Sequence, residues 1–265
     1  MKFHELIKPG TWVKIENKET QREVETLLNN IITNFYDANI SLIEFEEYNQ
    51  RSHESKSKGI SPMKEYFRKL DALQHKLTQE NPELNSYENH GTLKLKSTTI
   101  LNREAWQTGI LPSNFLTAKT RIFARSFIYA LDGVENALNK LSKPPLEADG
   151  VTQIYDKFKE KFKTNKDIRD SAHHQEDRAR FIGKYNRKFK AQSLPNGLSK
   201  GDGQIFTAGL LIGTNFTYTT HTGENLGTEI SEATMDELQS LVQMLLEAYD
   251  WIGPPVYHPE LNEWR

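Results

Sequence analysis

The sequence has no cysteine among its 265 residues. That excludes disulfide staples, a thiolate nucleophile and a zinc–thiolate site, and it fits a reducing compartment, so a cytoplasmic protein is expected. No stretch approaches the apolar length needed to cross a bilayer, and Met1-Lys2-Phe3-His4-Glu5 lacks the hydrophobic run of a signal peptide, so no membrane role is expected. Glycine is not arranged for nucleotides. Gly201-Asp202-Gly203 and the segment Gly209 to Gly213 have neither the spacing nor the helix-opening context of a phosphate loop or dinucleotide fingerprint, which excludes nucleotide hydrolysis. No nucleophile elbow is present for a Ser-His-Asp hydrolase, and no HExxH pattern for a zinc enzyme. Neither a metal nor a cofactor is expected.

Thirteen Phe, ten Tyr and four Trp supply bulky core material to a chain that is otherwise rich in charge. The net charge of −2 is nearly balanced, but its distribution is uneven. From Tyr155 to Ala191 twelve Lys or Arg face six Asp or Glu, a local net of +6. From Glu224 to Arg265 nine acidic residues face one Arg, a local net of −8. The basic stretch carries Phe158, Phe162, Phe181, Tyr185 and Phe189 among its cations, a composition shared by nucleic-acid surfaces and by amphipathic helices that bury an aromatic stripe.

Periodicity predicts a helix over Glu19 to Phe35, from Val24, Leu27, Leu28, Ile31, Ile32 and Phe35. Ile40 to Tyr48 fits helix or strand, Arg51 to Gly59 reads as an exposed polar loop, and Ser61-Pro62 restarts a helix with Tyr66, Leu70, Leu73 and Leu77 as its stripe. Between Gln79 and Ser113 only Thr92 to Ile100 alternates well enough to suggest a short strand. A soft boundary there divides the chain into 1–113, a helical region of unassigned role, and 114–265. A long helix follows from Asn114, with Phe123, Phe127, Ala130, Val134, Leu138 and Leu141 on one seam until Lys143-Pro144-Pro145 stops it. A second helix covers Val151 to Phe162, and a third starts after Thr164 and continues to about Lys190. Leu194 to Gly203 reads as a loop. Ile205 to Ile212, Asn215 to Thr220 and Leu226 to Ile230 predict an antiparallel meander. A final helix is introduced by the capping-box spacing Thr234-Met235-Asp236-Glu237 and runs to Trp251. The expected fold class is α+β, predominantly α-helical.

One segment concentrates reactive side chains. Arg169-Asp170-Ser171-Ala172-His173-His174 sets a permanent cation, a carboxylate and two imidazoles about one helical turn apart. On a helix Arg169 would face His173, and Asp170 would face His174. Placement near a helix start would add free backbone N–H groups that favour a bound phosphate. The bland reading makes Arg169 and Asp170 helix-end ion-pair formers, with the histidines packed or exposed beside Glu176, Asp177 and Arg178. His173, His174, Glu176 and Asp177, joined by His4, His221 or His258, offer metal donors without a recognised ligand spacing.

Arg169-Asp170-x-x-x-His174, following two helices, resembles the Arg-polar-x-x-x-His motif of the HEPN superfamily. The resemblance covers roughly the second half of the chain, and it departs from the family in having Asp170 where Asn is commoner and in carrying a β meander. It implies a HEPN-like helical bundle with an appended small antiparallel meander and a C-terminal helix. It also implies a metal-independent endoribonuclease of a defence or toxin type, often a homodimer with a composite site. RNA would be the substrate, and an antitoxin or regulatory protein a further partner. In that chemistry the RNA 2′-hydroxyl attacks the adjacent phosphate: His174 takes the proton, Asp170 orients the imidazole, and Arg169 holds the phosphate, leaving a 2′,3′-cyclic phosphate. His173 and Arg178 are helpers, and Lys166, Arg180 and Lys184 are RNA-binding cations. The same family includes non-catalytic modules that bind RNA, nucleotides or proteins, which is the alternative expectation.

Overall fold

Residues 2–57, 60–190 and 206–259 are described by a computed structural model. They divide into two compact units, one formed by residues 1–45 with 121–265 and the other by residues 46–120. The first 45 residues therefore pack with the C-terminal part of the chain, and the boundary read near residue 113 lies within the second unit. No helix among the described residues is long and apolar enough to cross a membrane.

The helix read from Glu19 is α1, Lys18–Ser57. The polar segment after Arg51 is thus helical through Ser57, not a loop, and residues 58 and 59 lie outside the described chain. Residues 51–57 contain no glycine or proline, and Glu47–Arg51 and Gln50–Glu54 pair one turn apart on the surface. A polar composition alone does not interrupt a helix.

In the second unit α2, Ile60–Glu80, and α3, His90–Gln107, flank a 3-10 turn at Pro82–Asn85. The strand expected at Thr92 to Ile100 is part of α3. Its apparent alternation came from Leu93 and Leu95, yet only Leu93 is buried and Leu95 is exposed. Leu93, buried Ser97 and half-buried Ile100 form the stripe that packs, near Leu77 and Leu84. A strand needs a neighbour for its backbone groups, whereas a helix satisfies its own, and the adjoining element here is helical α2.

The first unit is built on the buried seams of α1 and of α4, Ser113–Leu141. Asn34 lies against Gly133, and Ser41 shares a groove with Phe123 and Ser126, so the two helices run antiparallel. Phe35, Phe127, Ile128 and Leu131 are fully buried. The following elements are α5, Val151–Lys161, α6, Asn165–His173, and α7, Gln175–Ala179. Strands β3, Ala208–Ile212, β4, Asn215–Thr219, and β5, Asn225–Glu229, form the expected meander in the order β3-β4-β5. Its inner aromatics, Phe216 and Tyr218, join the main core, and α6 packs on all three strands.

The last helix is α8, Glu232–Glu247. It starts one turn before the expected capping box, because Ser231 is extended and its hydroxyl accepts from the Thr234 amide at 3.3 Å. It also ends before Trp251, which lies in a two-residue strand. We label the short terminal strands β1, Leu6–Lys8, β2, Trp12–Val13, β6, Trp251–Ile252, and β7, Val256–His258. β1 pairs with β7 and β2 with β6, both antiparallel.

Candidate functional site

The motif falls on a shorter element than its pattern suggested. α6 opens at Asn165 and closes at His173, and His174, at φ −107° and ψ 41°, breaks the helix expected to reach Lys190. Arg169 is the fifth residue of α6, about 6 Å along the axis from its first residue. The helix start itself is turned toward the sheet. Asn165 is fully buried with its amide donating to the Ile128 carbonyl, and the Thr164 hydroxyl bonds the Gly227 carbonyl at 3.2 Å.

Arg169 is held between two carboxylates. Its Nε and Nη2 reach Asp132 Oδ1 at 3.0 and 2.8 Å, and its Nη1 reaches Asp170 Oδ1 at 3.0 Å. All three side chains are mostly covered, with 17–24% of each exposed. Asp132, on α4, was not foreseen as a partner: it is 37 residues upstream, and no local spacing points to it. The Asp170 carboxylate engages Arg169, while the contact from Asp170 to His174 runs through the backbone, where the Asp170 carbonyl accepts from the His174 amide at 3.1 Å.

The remaining motif residues separate. His173 lies on Tyr129 of α4, ring centroids 5.0 Å apart, and His174 is exposed beyond the helix end. His174, Glu176 and Asp177 place one donor atom each within 4.8 Å of one another, an oxygen-and-imidazole set of the kind divalent cations accept. His173 is not part of that set. Nor are the other three histidines considered as donors: His4 bonds Asp236, His258 bonds Tyr36, and His221 stands 3.7 Å from Asp167. Arg178 is buried and its Nη1 donates to the Ile182 carbonyl at 2.6 Å, so its guanidinium ties down backbone. Lys166, Arg180 and Lys184 are all exposed.

Glu135, one turn beyond Asp132 on α4, completes the carboxylate face. Burial raises its pKa above the ordinary value of 4.5, Asp132 adds to the rise, and Lys166, Arg169 and Lys159 oppose it. Ionising Glu135 therefore costs more in the folded chain than in the unfolded one. Its contribution favours folding most below pH 4.5 and is lost as pH rises through the raised folded value. Glu135→Gln is accordingly expected to melt above wild type at pH 7, with the two curves converging below pH 4.5. Thermal melts across that range check this, and a difference that persists unchanged in acid would contradict it.

The aromatics of the basic stretch divide into two groups. Phe158 and Phe162 are core residues on and just after α5. Phe181, Tyr185 and Phe189 lie beyond α7 on a small hairpin closed by an Ile182–Lys188 bridge, which the sequence pattern did not reveal. Phe181, Tyr185 and Asn186 adopt left-handed backbone, at φ 58°, 58° and 57°, a conformation that asparagine enters readily but that Phe and Tyr do not announce in a sequence. Comparison of the chain with protein-family models, curated proteins and solved structures gives no match.

Proposed function

We propose that the protein is a non-catalytic RNA-binding module built on a HEPN-like bundle. The observation that carries this reading is the double carboxylate clamp on Arg169, at 2.8 Å to Asp132 and 3.0 Å to Asp170. A phosphate-holding arginine must offer its fork to the ligand. This fork is occupied, and the cluster of one guanidinium and two carboxylates carries a net negative charge that repels phosphate. The Asp170 carboxylate, which would have to orient the His174 ring for catalysis, faces Arg169 instead. The HEPN likeness rests on the motif and on the order of α4, α5 and the motif helix α6.

RNA remains the ligand that the charge distribution favours. Lys157, Lys163, Lys166, Arg180, Lys184, Arg187, Lys188 and Lys190 are all exposed, and such a surface binds a polyphosphate chain with strong salt dependence. The test is a cleavage assay run beside a binding titration on labelled RNA, using wild type, Arg169→Ala and His174→Ala. Salt-sensitive binding without turnover in all three proteins is the expected result. Cleavage by wild type that both substitutions abolish, leaving a 2′,3′-cyclic phosphate, overturns it in favour of the endoribonuclease. Absence of both binding and cleavage removes RNA as the ligand.

A further inference from the structure

Within that RNA-binding reading, we propose that the hairpin Phe181–Phe189 is the contact element for single-stranded RNA, with Tyr185 stacking on an unpaired base and its flanking cations gripping the phosphates. Tyr185 is 89% exposed at the tip. A bulky residue held at φ 58° and ψ 35° occupies a strained region of backbone space. Folding gives no packing return for that strain, because the ring it presents is in solvent. Lys184 and Asn186 are likewise exposed, and the Gly183 amide donates to the Arg187 carbonyl at 2.7 Å, which closes the loop beneath the tyrosine.

The charge around the tip has one sign. From Arg178 to Lys190 the chain has six Lys or Arg and no Asp or Glu. Arg178 is buried and spent on the Ile182 carbonyl, while Arg180, Lys184, Arg187, Lys188 and Lys190 are exposed and form no ion pair with another described residue. Elsewhere on the basic stretch the cations are partly neutralised, as Lys159 is by Asp156 at 2.8 Å and Lys161 by Glu237 at 2.5 Å. An exposed aromatic ring among unpaired cations suits single strands, in which base faces are free to stack and phosphates follow at short spacing. In a duplex those base faces are covered.

The hairpin is anchored rather than loose at its base. Phe181 packs edge-on against Phe189 and Phe206, at 6.0 and 6.1 Å between centroids, and the Phe189 amide donates to the Phe181 carbonyl at 3.0 Å. The turn between β4 and β5 comes so close that a side chain on Gly183 would meet the His221 carbonyl at 2.6 Å, and one on Gly223 would collide with the Lys190 carbonyl. A platform of this kind loses little freedom on binding, which favours affinity.

Fluorescence anisotropy of the full chain with short fluorescein-labelled oligouridine, and with an RNA duplex of equal length, tests the assignment. Tyr185→Ala is expected to weaken oligouridine binding about 5- to 100-fold, with Tyr185→Phe restoring it and the duplex affected far less. Combined replacement of Lys184, Arg187 and Lys188 by alanine is expected to lower the slope of log affinity against log salt by about 2, at roughly 0.7 per phosphate contact. Normal melting and circular dichroism of the variants establish that these surface changes leave the fold intact. If wild type binds oligouridine, and Tyr185→Ala and the triple alanine variant bind it equally well with the same salt slope, the hairpin assignment fails while the RNA-binding reading stands. If wild type binds no RNA, both fall together.

Discussion

Arg169→Ala is expected to destabilise the protein by about 2 kcal/mol while leaving RNA affinity within about twofold of wild type. Removing one partner of a buried ion pair costs roughly 3–5 kcal/mol, because the other charge stays behind uncompensated. The figure here is discounted, since about a quarter of the Arg169 side chain remains in solvent and water screens what is left. Two carboxylates, Asp132 and Asp170, lose their common cation at once, and Glu135, already raised by burial and by Asp132, sits one turn away. For a chain of this size the loss corresponds to a fall in Tm of about 4–8 °C. Adding Asp132→Asn to Arg169→Ala is expected to recover part of the fall, because it removes the stranded charge; Asp132→Asn alone costs less, since Asp170 still faces Arg169. Thermal melts of the three variants, with RNA titrations on each, read both quantities. A melting point unchanged in Arg169→Ala together with a tenfold or greater loss of RNA affinity would show that the guanidinium serves the ligand and not the fold.

That clamp illustrates what the sequence could and could not disclose. Local periodicity located α4 and α5 closely, because an apolar seam such as Phe127, Val134, Leu138 and Leu141 is written in consecutive turns. The meander was legible for the same reason: β-branched and aromatic residues separated by short polar turns leave few other solutions. The motif was visible as a cluster in sequence, but the structure keeps only Arg169 and Asp170 together, and their electrostatic state was not legible. Asp132 neutralises Arg169 from a neighbouring helix, a contact that only tertiary packing creates. The same limit explains α3, where Leu95 imitates one side of a strand yet faces solvent, and the end of α6, where His174 departs from helical geometry with no glycine or proline to announce it. The hairpin was the hardest element to foresee. Its left-handed residues are Phe181, Tyr185 and Asn186, two of which are among the poorest candidates for that backbone region.

Gly223→Ala tests whether the anchoring of the hairpin matters to binding, and its expected effect is larger than that of any single surface charge. Gly223 holds φ at 90° in the turn after β4, where its amide donates to the Thr220 carbonyl at 3.0 Å. A residue with a side chain pays roughly 1–2 kcal/mol to sit in left-handed backbone. Here the added carbon would also overlap the Lys190 carbonyl and press on Phe189. Backbone cannot rotate aside as a flexible side chain does, so either the turn or the outgoing strand of the hairpin must move. The combined cost is expected to be about 2–4 kcal/mol, concentrated where β4 and β5 meet the hairpin. The seams of α1 and α4 lie far upstream of this contact in sequence and are buried against each other. Amide exchange should therefore accelerate at Gly183 and Phe189, whose amides bond Arg187 and Phe181 across the hairpin, more than at core positions such as Phe127. Oligouridine affinity should fall toward that of Tyr185→Ala, because a displaced platform must be reordered on binding. Fast exchange at Gly183 and Phe189 with undiminished affinity would mean that the tyrosine and its cations act without the platform, and that the close glycine contacts serve folding alone.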